Sequence, residues 1–146
     1  MITKTSLVIA TTLSLSLPFA AQTANIETIP APLQHSLSKL NLTSPPVLVN
    51  GDLHIAYKFD EIGELQAKAT VEDMCFAYYG DVKGKTAWKA GKIERVFIEN
   101  SDRTQGYVYQ DGDKSCDLLG KKSGNEGDAF IIDRLAEATF KPATLN

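Results

Sequence analysis

Cys75 and Cys116 are the only two cysteines in the chain, and whether they pair constrains its fold more than any other relation between two residues. In a reducing compartment they would stay thiols; in an oxidising one they join. A bridge between them closes a loop of about 40 residues, which the chain-entropy account values at roughly 4 kcal/mol. That is a large share of the net stability of a small domain.

The N-terminus points to the oxidising case. No charged residue occurs between Thr5 and Ile26, and Lys4 precedes an apolar run through Leu7, Val8, Ile9, Ala10, Leu13, Leu15 and Leu17. A short basic segment followed by an apolar one is the pattern of a secretory signal peptide. Pro18 and the small residues Ala20, Ala21, Thr23 and Ala24 offer a cleavage region. Residues 1–24 are therefore expected to be removed, leaving the protein in a periplasm or outside the cell. An uncleaved anchor is the rival reading, but seven Thr and Ser positions interrupt the stretch, and a membrane span needs about 20 strongly apolar residues. A lipid-anchored start is disfavoured because the first cysteine, Cys75, lies far from any cleavage site. One disulfide, Cys75 to Cys116, is the expectation, with a nucleophilic Cys75 as its functional rival.

After cleavage about 120 residues remain, enough for one hydrophobic core and too few for two. The expected organisation is an extended, mobile leader over 25–32 and a single domain over 33–146. The formal net charge of −3 becomes more negative once Lys4 is lost. An acidic chain is poorly suited to neutralise phosphates, so nucleic acid and anionic membrane surfaces are disfavoured as partners.

Local patterns set out the elements. Leu33, Leu37 and Leu40 share one helix face, with Pro32 near the helix start and His35 off the stripe. Pro45 and Pro46 end that helix. Val47–Val49 then runs into Asn50-Gly51, the dipeptide that best supplies the positive φ angles of a type I′ hairpin. Leu53, Ile55, Tyr57 and Phe59 alternate with His54, Ala56 and Lys58, so the first set faces the core and His54 faces away. Over Glu64–Tyr79, Val71, Met74, Cys75 and Tyr78 form a helical stripe that Gly80 can cap. Ile93–Glu99 and Thr104–Gln110 read as a second hairpin, and Lys114–Leu119 as a third strand extending it to a meander. Asp128 is expected to cap a last helix presenting Ile131, Leu135 and Ala138, ended by Pro142. The fold class is α+β: an antiparallel sheet, two hairpins extended to a meander, with two or three helices on one face.

Chemical motifs are sparse. Asp111, Asp113 and Ser115 begin like a calcium loop, but Cys116 stands where glycine is needed and Lys122 where a bidentate glutamate is needed, so an acidic turn is the better reading. Glu61 with Glu64, or Glu126 with Asp128, could serve as acid and base on a glycan, although nothing singles them out. No phosphate loop, zinc spacing or serine elbow occurs, and no cofactor or metal is expected.

The strongest functional suggestion is Trp88 among Lys83, Lys85, Lys89 and Lys92, a basic patch on an acidic protein that could dock an acidic partner with the indole as anchor. The rival reading folds Trp88 back as a lid on the core. Tyr107 and Tyr109 share one strand face; with Val108 inward they would be exposed and suited to an interface, and with the tyrosines inward that idea disappears. Phe76 is turned about 100° or more from the buried stripe of its helix, so it needs another layer of the domain, a partner or a second copy of the chain. The expectation is an exported, non-catalytic protein-binding domain using Trp88, Lys85, Lys89, Tyr107 and Tyr109, possible as a homodimer and of the inhibitor or immunity type. The alternatives are a cell-envelope hydrolase and a carrier with an apolar pocket between helix and sheet.

Overall fold

The structure, a computed structural model, describes residues 24–141; the expected signal peptide before Ala24, and Pro142, expected to end the last helix, lie outside the described residues. Asn50 and Gly51 adopt φ of 50° and 81°, as a type I′ turn requires. They fold β2 (Val47–Val49) onto β3 (Asp52–Ala56), with Leu48 opposite Leu53. On the outer side of β2 lies β1 (Ile26–Glu27), Ile26 opposite Val49. Residues 25–32 are thus extended as far as Pro30 but held in place: β1 is part of the sheet, Ile29 is buried, and α1 (Ala31–Leu37) begins at once. On α1, Leu33 and Leu37 are wholly buried, a gain of about 1.5–3 kcal/mol each.

From β3 the chain crosses through α2 (Glu64–Tyr79) and returns as β4 (Arg95–Glu99), parallel to β3 with Leu53 opposite Val96 and Ile55 opposite Ile98. A parallel neighbour needs a crossover of this kind. The antiparallel strands β5 (Gln105–Tyr109) and β6 (Leu135–Thr139) complete a six-stranded sheet in the order β1-β2-β3-β4-β5-β6. The class is α+β, with one parallel pair in an otherwise antiparallel sheet and the helices layered on one face.

Alternation along the strands assigns the faces. Leu48, Leu53, Ile55, Val96, Ile98, Tyr107 and Tyr109 point to α2, where Ala67, Val71, Met74 and Tyr78 meet them. His54, Phe97 and Val108 point to the face that carries no helix among the described residues.

Two expected elements are corrected. Lys114–Leu119 is not a strand: a 3₁₀ turn (Gly112–Ser115) leads into α3 (Cys116–Leu119). This segment has no β-branched residue, and the Ser115 hydroxyl donates to Gly112 O at 2.8 Å, closing the turn locally. The strand that completes the meander is instead β6. The last helix, α4 (Asn125–Ile132), begins before Asp128 and stops before Leu135. Leu135, Ala136, Glu137 and Ala138 favour helix intrinsically, but pairing along the whole of β5 outweighs that preference.

Cys75 on α2 and Cys116 at the start of α3 form a disulfide, with Cα atoms 5.2 Å apart and a sequence separation of 41.

Candidate functional site

The sequence-derived site residues fall in different environments. Trp88 is half-buried; its indole meets Tyr78 edge-on, with ring centroids 5.2 Å apart, and Nε1 donates to Asp113 Oδ2 at 2.8 Å. The same carboxylate accepts from Gly91 N at 2.6 Å and Ile93 N at 3.0 Å. Asp113 is wholly buried and fully engaged, so it is the clasp of the lysine-rich loop, and the lid reading of Trp88 describes its geometry. Lys85 and Lys89 remain exposed around it.

Tyr109 is withdrawn from the surface. It is 0% exposed and its hydroxyl lies 2.7 Å from Ser115 Oγ. Since Ser115 spends its proton on Gly112 O, Tyr109 is the donor. Tyr107 shares its face, toward the helices. β5 pairs on both sides, and the register that points Val108 to the open face points both tyrosines to α2. The interface imagined on this strand is therefore absent.

Both cysteines are bonded to each other, which removes Cys75 as a nucleophile. Of the carboxylate pairs, Asp128 is bound by Lys68 Nζ at 2.9 Å, and the same ammonium reaches Glu72 at 2.8 Å. Those two hydrogen bonds raise the Lys68 pKa. Glu61 and Glu64 are exposed and flank the start of α2. The space between α2 and the sheet is filled by wholly buried Leu53, Ile55, Val71, Met74 and Ile98, the site a carrier pocket would need.

The structure brings forward the outer face of α2. Phe76 is 76% exposed, turned away from the buried stripe as its position requires. On one side it borders a cleft of about 720 Å³ with Pro32, His35, Val82 and Lys85. On the other it borders a cleft of about 340 Å³ with Tyr79, Leu119 and Lys122. Val82, Leu65 and Leu118 are also exposed apolar residues. Val82 had no periodic signal to mark it, since it lies in an irregular loop whose path depends on the Asp113 clasp.

No protein family, curated protein or solved structure matches this chain.

Proposed function

We propose that this protein is an exported, disulfide-stapled, non-catalytic domain that holds another protein against the outer face of α2. An inhibitor or immunity-type factor is the concrete form of that role. The observation that carries the reading is Phe76, a large aromatic ring left in water between two clefts on a helix whose other large apolar residues are mostly packed. Burying one such ring gains about 1.5–3 kcal/mol, the size of a binding hot spot. Val82 extends the apolar surface, and Lys83 and Lys85 border it, so the favoured partner surface offers an apolar pocket or groove rimmed by carboxylates. Export is supported by the N-terminal sequence pattern and by the paired cysteines.

The test uses oxidised protein carrying a photo-crosslinking residue at position 76, exposed to envelope and culture fractions of the source cells, with the captured protein then purified and its affinity measured. Phe76→Asp is expected to fold normally, because the ring is exposed, and to weaken binding of that protein by roughly 100-fold. A partner bound equally well by Phe76→Asp would overturn the site. Mature protein that retains residues 1–24 after secretion would overturn the cleavage reading.

A further inference from the structure

The helix-free face of the sheet holds a second feature, unrelated to α2. Two rows of side chains cross it side by side: His54, Phe97, Val108 and Ala136 in one, Ala56, Glu99, Gly106 and Ala138 in the other. The second row consists of residues with almost no side chain apart from Glu99, which leaves a depression where the carboxylate sits. Glu99 is 5% exposed, unusual for a carboxylate at the end of β4 on a sheet face that carries no helix among the described residues.

Each of its oxygens has a partner. Oε1 lies 2.9 Å from His54 Nδ1, and Oε2 accepts from Arg103 Nη1 at 3.1 Å. Arg103 also donates from Nη2 to Ser44 Oγ at 2.9 Å, and it adopts a φ of 59°, a conformation uncommon for a residue with a side chain. His54 stacks on Phe97, centroids 4.6 Å apart and planes 15° from parallel, and Phe97 stands 6.1 Å from Phe140. A carboxylate bound to Nδ1 fixes the imidazole and leaves Nε2 directed away from it.

These groups line a hollow of about 450 Å³, together with Thr139 and Lys141. Lys141 makes no ion pair among the described residues. Two permanent cations, Arg103 and Lys141, thus face one carboxylate whose oxygens are both already engaged. The rim offers the spare N–H donors of Arg103 and Lys141, while Phe97 and Phe140 provide an apolar wall. Excess positive charge beside aromatic rings selects an anion attached to a flat or apolar group.

We propose that this hollow binds a small organic anion, a carboxylate or phosphate ester carried on an aromatic or similarly flat group. Glu99 is its positioning residue, holding His54 and Arg103 in place; Arg103 and Lys141 contact the anion.

The test titrates oxidised protein with benzoate, with phenyl phosphate and with neutral benzyl alcohol, following the His54 ring resonances and backbone amides by NMR. Saturable shifts centred on His54, Phe97 and Arg103 are expected for at least one anion, with a Kd on the order of 1 mM for probes this small. The tighter of the two anions identifies the headgroup. Lys141→Gln, a surface change that leaves the fold untouched, is expected to weaken binding about threefold, and Arg103→Gln at least tenfold. Phe76→Asp is expected to leave it unchanged, which separates this site from the α2 face. Failure of both anions to saturate, or equal binding of benzyl alcohol, would overturn the proposal.

Discussion

Trp88 and Asp113 are joined across 25 residues of chain by an indole-to-carboxylate hydrogen bond of 2.8 Å, and that bond turns two separate surface features into one internal one. The lysine-rich loop and the acidic turn after β5 are two halves of a clasp. Asp113 ties the loop down through three N–H donors, one of them the entry to β4 at Ile93.

Asp113→Ala leaves those donors without their acceptor. Unpaired buried N–H groups cost about 1–3 kcal/mol each, so a total loss of roughly 3 kcal/mol is expected in urea unfolding, with the Trp88 fluorescence shifted toward that of a hydrated indole. Trp88→Phe keeps the ring contact with Tyr78 and loses one hydrogen bond, for a loss of about 1–2 kcal/mol. Partner affinity through Phe76 is expected to be preserved in Trp88→Phe.

Reduction of the Cys75–Cys116 bridge frees a 41-residue separation in the unfolded chain. Stability is expected to fall by roughly 4 kcal/mol, read as a lower denaturation midpoint of the Cys75→Ser, Cys116→Ser double variant against the oxidised protein.

Gly112 has φ of 50°, and an added Cβ would lie 2.0 Å from Ile93 O. Gly112→Ala is expected to destabilise by at least about 2 kcal/mol. Gly84→Ala is the control: φ is 79° but nothing lies within 4 Å, so only the backbone strain of about 1 kcal/mol applies. Thermal unfolding of the two variants separates steric from conformational cost.

Alkaline pH acts through the buried tyrosines. Burial raises the pKa of Tyr57 and of Tyr109 above the ordinary value of 10.0. In the unfolded chain these phenols ionise first. Their contribution to stability is therefore full below pH 10 and is lost as pH rises through the folded-state values. Phenolate absorbance is expected to show a component that appears together with loss of near-ultraviolet circular dichroism; a smooth titration in a still-folded protein would contradict this.

What the sequence determined by itself is what short stretches of chain decide alone. The Asn50-Gly51 turn, α2 from Glu64 to Tyr79 with Gly80 in a positive-φ cap, and the outward direction of Phe76 follow from φ preferences and a 3.6-residue period, which act within a few residues. The pairing of Cys75 with Cys116 needed only a count and a compartment. Tertiary structure decided everything that depends on which strand lies beside which. Leu135–Thr139 reads locally as helix and becomes strand because β5 offers it a ladder. Tyr109 reads as a candidate for the surface and is buried because register, which shifts every side chain to the other face with a slip of one residue, is fixed by neighbours far away in sequence. His54, Glu99 and Arg103 each looked ordinary alone. They meet because β3 and β4 run parallel with His54 beside Phe97 and Ala56 beside Glu99, a contact across 45 residues that no local pattern encodes.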